Sequence, residues 1–260
     1  PDQQFVYTVN ENASKDGSGG GVTSFSFDKS TGALKEINRQ SSMGNHPCYI
    51  SVDKNNKWVI AGNYSSGNFS LLPVDKNGEL GKARQVVQHE GKGPDTTRQK
   101  SPHVHGVFLK KNNKDLYVTD LGTDKIMHYK LNTKKGKIIA AKTPFTSAEA
   151  GSGPRHLAFS PDEKYVYLLQ ELSGTVAVFA DNGKGKLKLL QSISSLPASY
   201  KGPAGSADIH VSPDGNFLYA SNRGNSNTIA IFSIDKETGL LTIVGHEPTL
   251  GETPRNFNFD

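Results

Sequence analysis

The sequence predicts an all-β fold, a β-propeller of four-stranded antiparallel blades. Three observations carry that prediction. Short runs rich in Val, Ile, Tyr, Phe and Thr, in partial alternation and punctuated by turn residues, fill the 260-residue chain, as expected for antiparallel strands joined by hairpins. No segment sustains the 3.6-residue apolar period of a helix. A unit of four such runs recurs at intervals of roughly fifty residues, the length and strand count of a propeller blade. Blades packed face to face bury both faces of each sheet and leave only short edges.

The clearest copy is 151–179. Pro154-Arg155-His156 opens an apolar run, Ser160-Pro161-Asp162 turns, 165–171 forms a second run, Ser173-Gly174 turns again, and 175–179 is a third. The other copies follow it. First runs open at Pro47-Cys48-Tyr49, Pro102-His103-Val104-His105, Ala207-Asp208-Ile209-His210 and Pro254-Arg255-Asn256. Second runs are expected over 57–64, 115–121, 165–172 and 217–223. Third runs are expected over 68–74, 125–131, 175–180 and 228–234. Weaker fourth runs are expected over 83–88, 138–142, 187–193 and 241–246. At the ends, 5–12, 20–27 and 34–41 supply three strands without a first, and 254–260 a first without the other three. The chain therefore holds about five blades' worth of sequence. Either a mixed blade closes a five-bladed ring, or a larger ring lacks material at both ends. The expectation is one propeller domain over 1–260, trimmed at both ends, since the chain starts with Pro and begins and stops within strand-like sequence.

Composition narrows the function classes. The net charge is +5 and the lysines are scattered through turns such as Lys110-Lys111 and Lys134-Lys135. Nucleic-acid binding calls for a clustered basic stripe with interleaved aromatics, and none is present. A mild positive field still favours anionic substrates. No run approaches the length of a membrane span. Cys48 is the single cysteine, so an intrachain disulfide and a multi-cysteine zinc site are excluded. One free thiol fits a reducing, cytoplasmic setting. The glycine-rich stretch 17–21 lacks the strand-to-helix context of a phosphate loop and reads as a hairpin tip. The loop 92–101, after His89-Glu90-Gly91, is long enough to cover a channel mouth.

Register points to a shared location for the polar residues. With second runs aligned on Tyr7, Ile60, Tyr117, Tyr167 and Tyr219, the position four residues on holds Glu11, Tyr64, Leu121, Glu171 and Arg223. The first-run opening, aligned on its proline, holds Cys48, His103, Arg155, Ala207 and Arg255. Both positions vary among polar and charged types, as a pocket assembled from several blades would.

Read in order, Asn63-Tyr64, Gln88-His89-Glu90-Gly91, Pro102-His103-Val104-His105, Thr119-Asp120-Leu121-Gly122, Gly153-Pro154-Arg155-His156-Leu157, Asp208-Ile209-His210-Val211-Ser212-Pro213-Asp214-Gly215 and Tyr219-Ala220-Ser221-Asn222-Arg223-Gly224 resemble the lactonase family of seven-bladed propellers. That family includes propeller-type 6-phosphogluconolactonases and carboxymuconate cyclases. Two departures stand out: Tyr49 where the motif carries His, and Asp208 where Glu is more usual. The resemblance implies hydrolysis of a sugar lactone, 6-phosphogluconolactone to 6-phosphogluconate in the pentose phosphate pathway, with no metal and no cofactor. The alternatives are a muconate-type lactone cyclase and a non-catalytic propeller that binds a protein or glycan on its rim.

Lactone hydrolysis needs a base for water, a donor for the oxyanion and a grip on the substrate's anionic groups. Within the resemblance, His105, Arg155, Glu171 and Arg223 are the expected catalytic residues. His105 or Glu171 would deprotonate water, and the arginines would hold oxyanion, carboxylate or phosphate through their planar forks. His103, His156, Asp208 and His210 are the expected substrate-binding residues. Two blander readings stand beside these. His103 and His105, two apart on one strand face, have a spacing that also suits a metal, and Arg155 with Glu171 also reads as a structural salt bridge.

Overall fold

A computed structural model describes residues 3–14, 20–183 and 185–259. The first three residues of the expected glycine-rich tip at 17–21 lie outside them. All regular structure in the described residues is β, in five antiparallel sheets. The chain divides into two compact units. The first comprises Pro1–Lys92, Thr96–Thr123 and Met127–Pro144; the second comprises Gly93–Asp95, Asp124–Ile126 and Phe145–Asp260.

The first unit holds a three-stranded sheet of β1 (Phe5–Asn10), β2 (Gly21–Phe27) and β3 (Leu34–Ser41). Beside it in sequence is a four-stranded sheet of β4 (Pro47–Val52), β5 (Trp58–Asn63), β6 (Asn68–Pro73) and β7 (Gln85–Gln88). A third sheet, almost wholly in this unit, contains β8 (Val104–Leu109), β9 (Asp115–Asp120), β10 (Lys125–Asn132) and β11 (Lys137–Ser147). The second unit holds β12 (Pro154–Phe159), β13 (Tyr165–Gln170), β14 (Thr175–Asp181) and β15 (Leu187–Ser194) in one sheet. Its other sheet is β16 (Ser206–Val211), β17 (Phe217–Asn222), β18 (Thr228–Ile234) and β19 (Leu241–Pro248). Strands pair in sequence order within every sheet, so each is a meander of hairpins, the blade topology the repeat predicts.

Two expectations at the ends are corrected. The first sheet takes no fourth strand from the C-terminal segment, so the mixed closing blade is not formed. Residues 254–259 are not a strand. A blade's first strand ladders only onto the second strand that follows it, and no second strand follows here. The segment is held instead by hydrogen bonds from the Asn256 side chain and the Phe257 N–H to Asp208.

Cores form where inner strands of consecutive sheets meet. Ile60, Phe69 and Leu71 pack with Val104, Val107, Leu116 and Val118 in the first unit. Tyr167, Leu169, Val176 and Val178 pack with Ile209, Leu218 and Phe232 in the second. At about 25 cal/mol per Å² of apolar surface removed from water, such faces supply the main stabilisation. The fourth strands add a repeated amide latch to the next sheet. Asn38 Nδ2 donates to Leu80 O (2.8 Å) while Oδ1 accepts from Leu80 N (3.0 Å). Gln85 does the same with Ile138 (2.9 and 2.8 Å), and Gln191 with Leu241 (2.9 and 2.8 Å).

One irregularity recurs and matters for the site. The first strand of every four-stranded sheet carries a bulge near its start. The register jumps between Pro47 and Tyr49, Val104 and Gly106, Pro154 and His156, and Ser206 and Ile209. A bulge adds an unpaired residue and re-aims its side chain. The re-aimed residues are Cys48, His105, Arg155 and, in the wider last case, Ala207 with Asp208. His105, not His103, is therefore the counterpart of Arg155. The proline that guided the sequence alignment lies two residues before the ladder begins in this one sheet.

Candidate active site

Each bulge residue has a constant companion, the residue just past the end of the second strand. The pairs are Cys48 with Tyr64, His105 with Leu121, Arg155 with Glu171 and Ala207 with Arg223, each 16 residues apart. Position is thus fixed by the backbone, and chemistry by which residue each sheet installs there.

In the second unit these positions build an ion triad. Glu171 Oε2 accepts from Arg155 Nε at 3.0 Å and pairs with Arg223 Nη2 at 3.0 Å. Arg155 is 1% exposed, and its Nη1 donates to Ala207 O. Arg223 remains partly accessible and is steadied by Nε donating to Gly205 O at 2.9 Å. Two guanidinium charges on one carboxylate leave a net positive centre whose outer face is Arg223. Buried ions survive only when paired and hydrogen-bonded, and that is the state of Arg155.

Beside the triad, Arg155 Nη1 lies almost equidistant from the two ring nitrogens of His156, at 3.5 and 3.4 Å, and so sits against the imidazole ring. His156 Nδ1 meets Asp208 Oδ1 at 2.8 Å. Burial, reinforced by the Arg155 charge and only partly offset by Asp208, pushes His156 down to about 4. It is a neutral imidazole at neutral pH, with its Nδ1 proton on Asp208. Asp208 itself is crowded with donors. Oδ1 also accepts from Ile209 N, and Oδ2 from His210 Nε2 (3.0 Å), Asn256 Nδ2 (2.6 Å) and Phe257 N (3.2 Å). Burial raises the Asp208 carboxyl, but the hydrogen bonds and charges of His156 and His210 outweigh it and hold the group well below the usual carboxylate range. His210 stacks edge-on to Phe257 with ring centroids at 4.8 Å.

The first unit carries a different set. His105 Nδ1 is 3.7 Å from Cys48 Sγ. Tyr64 stacks on His103 (4.4 Å, 10°) and meets His105 edge-on (5.4 Å). His103 Nδ1 donates to Tyr64 O at 3.0 Å, and its backbone N–H donates to Asp120 Oδ1 at 2.8 Å. From the loop 92–101, Arg98 Nη2 donates to the Tyr64 hydroxyl at 3.1 Å, and Gln99 Nε2 caps Leu121 O at 2.8 Å. The loop thus sits on two of the companion positions.

Of the eight sequence candidates, the second unit gathers Arg155, Glu171, Arg223, His156, Asp208 and His210 in one network. His103 and His105 lie in the first unit with Tyr64 and Cys48. Sequence reasoning missed Arg98, Tyr64 and Cys48 as neighbours of these histidines. The 16-residue companion spacing would have found two of them; Arg98 lies in a loop with no repeat to align. Tyr49, the departure from the expected His, packs against Phe108 at a centroid distance of 4.6 Å. Among the described residues no group of three or more His, Cys, Asp or Glu side chains gathers as a metal shell.

Comparison with known proteins agrees with this architecture. The chain is 38% identical to a 6-phosphogluconolactonase of Formosa agariphila, covering 100% of this chain and 73% of that one. It is 37% identical to the 6-phosphogluconolactonase of Bacillus subtilis, covering 93% and 68%. The structure of the periplasmic gluconolactonase of Pseudomonas aeruginosa superposes with a TM-score of 0.93 at 37% identity, over 100% of this chain and 73% of that one. The family model described as "Lactonase, 7-bladed beta-propeller" matches residues 1–260, and the chain belongs to that family.

Proposed function

We propose that this protein is a lactone hydrolase that converts 6-phosphogluconolactone to 6-phosphogluconate, a step of the pentose phosphate pathway. The observation that carries the reading is the Arg155–Glu171–Arg223 triad, a net positive centre with one partly accessible guanidinium, in a chain whose relatives bear that enzyme's name. Water adds to the lactone carbonyl carbon and gives its proton to a base. The carbonyl oxygen becomes an oxyanion facing Arg223. The ring C–O bond then breaks, and the departing alkoxide recovers the proton as the carboxylate forms. Preorganised cationic donors stabilise such an oxyanion more than the neutral carbonyl, which is the requirement for rate acceleration. Arg155 holds Glu171 in place, and Glu171 takes the water proton. Asp208 acts as a positioning residue by fixing the His156 tautomer under Arg155. His103, His105 and His210 contribute to substrate binding, with His105 the alternative proton acceptor.

We further propose that residues 1–260 fold as a single domain and that the protein is cytoplasmic, the latter resting on the free Cys48. No helix is long and apolar enough to cross a membrane among the described residues. The test is a lactonase assay on this chain with the phosphorylated and the unsubstituted lactone, alongside Arg155→Ala and Glu171→Gln. Folded wild type should accelerate decay of the phosphorylated lactone, and both variants should lose at least about 100-fold, the scale of one lost oxyanion donor or general base. Full activity in a folded Glu171→Gln would give the proton to His105. Full activity in both variants would sink the site.

A further inference from the structure

At the far end of the same strands from the ion triad, the repeat breaks in a way that opens a cleft. The turns between first and second strands are equivalent in all four-stranded sheets, and one residue in each has a left-handed backbone: Asn56, Asn113, Glu163 and Gly215. In the first unit two neighbouring turns are stitched together. Lys54 N–H donates to Asn113 Oδ1 (2.8 Å), and Asn113 Nδ2 donates to Asp53 Oδ2 (3.0 Å). In the second unit both halves of the stitch are gone. The counterpart of Lys54 is Pro161, which has no N–H. The counterpart of Asn113 is Gly215, which has no side chain, and a Cβ there would stand 2.7 Å from Pro161 Cγ.

A cleft of about 220 Å³ lies at this point, walled by Pro161, Tyr165, Tyr167, Ile234 and Gly215. A third exchange adds a donor to it. The second-strand position that is Ile60 in the stitched sheet is Tyr167 here. Its side chain is fully buried, and its hydroxyl has no hydrogen-bond partner. Burial, with Tyr165 and Asp162 nearby, pushes this phenol up to about 13-range values beyond any physiological ionisation, so it is a neutral donor. An unpaired buried hydroxyl costs on the order of 1–3 kcal/mol unless something accepts from it.

The charges at the mouth are already committed. Asp162 accepts from Ser160 Oγ (2.7 Å) and pairs with Lys164 Nζ (3.0 Å). Asp214 accepts from the Asn216 side chain and backbone, and Lys236 Nζ donates to Asp214 O at 3.1 Å. An occupant therefore needs no charge. A dry cavity of roughly 150 Å³ is enough for benzene, so this cleft accommodates one six-membered ring with a short substituent. The site is separate from the triad: Ser160 is five residues beyond Arg155 along β12, about 16 Å at strand rise.

We propose that this cleft binds a small uncharged aromatic or cyclic molecule carrying one hydrogen-bond acceptor, with the ring between Pro161 and Tyr165 and the acceptor on the Tyr167 hydroxyl. The probe pair is acetophenone and α-methylstyrene, which share a shape but differ in the acceptor oxygen. Each is titrated against the full chain by NMR. Acetophenone should bind with a Kd of about 1 mM or tighter, in line with the efficiency of fragment-sized ligands. α-Methylstyrene should bind about tenfold more weakly, one hydrogen bond's worth. Tyr167→Phe should erase the difference between the probes while leaving lactonase activity unchanged. Gly215→Asn, whose side chain tolerates the left-handed backbone and fills the cleft, should abolish binding of both. No acetophenone binding, equal binding of the two probes to wild type, or undiminished preference in Tyr167→Phe would each overturn the proposal.

Discussion

His89 with Asp120, and His156 with Asp208, are chemically the same object: an imidazole Nδ1 at 2.8 Å from a buried carboxylate. Their positions in the repeat differ. His89 follows a fourth strand, and its backbone N–H donates to Gly67 O, as Ser42 does to Gly20 O and Ser195 to Gly174 O. Asp120 ends a second strand, where the other sheets have Asn63, Gln170 and Asn222. In those copies Asn63 Nδ2 donates to Ser42 O, and Asn222 Nδ2 to Ser195 O. The His89–Asp120 pair therefore substitutes for a Ser–Asn tie between sheets. The His156–Asp208 pair occupies the bulge region instead, with Arg155 against the ring and four further donors on the carboxylate. The same chemistry holds sheets together in one place and orients a charged cluster in the other, and its place in the register decides which.

That contrast can be broken at its functional end first. Asp208→Asn should lower kcat/KM by about 100-fold, because the amide can present an N–H to His156 and turn the imidazole to the wrong tautomer. Steady-state kinetics on folded variant protein would show it, and an effect under threefold would make the pair merely structural. Next in size is an acid limb of stability. The folded-state value of His156, about 4, lies below its ordinary 6.5. Between those values the unfolded chain takes up a proton that the folded chain refuses. Stability is therefore complete above about pH 6.5 and falls as the pH drops towards 4, by roughly 3 kcal/mol. Denaturant midpoints across that range measure the slope, and His156→Gln should flatten it. The smallest effect concerns the other pair. Asp120→Asn alone should cost about 2 kcal/mol. Combining it with His89→Ser restores the tie found in the last sheet, and should recover most of that loss with activity unchanged within threefold. A double variant no more stable than the single would deny the equivalence.

The architecture was legible in the sequence because local signals agree. The alternation of Val, Ile and Tyr set the strands, and Asp, Asn, Gly and Pro set the turns. The third strand of the last sheet, Thr228–Ile234, matches its expected range. β11 runs to Ser147, beyond the expected 142, since Thr143 and Thr146 continue a pattern that Pro144 had seemed to end. The candidate site was partly legible. The fixed 16-residue spacing makes Arg155 and Glu171 partners, and the sequence paired them. The place of His105 was not visible, because a bulge has no residue signature and Pro102 pulled the alignment two residues away. The donors that crowd Asp208 come in part from Asn256 and Phe257, 48 and 49 residues on, a distance no local pattern spans. The cleft was hidden for a different reason: it is made by what Pro161 and Gly215 lack.

The recurring bulge has a mechanical consequence. A regular strand can slip along its neighbour, and every slip of one residue turns all its side chains over. A strand with an extra residue wedged near its start has lost that freedom. Insertions or deletions in the exposed hairpins beyond it, such as 53–57 or 160–164, cannot be transmitted back as a shift of Cys48, His105 or Arg155. The bulge works as a detent, insulating the chemistry at one end of each sheet from evolutionary wear at the other.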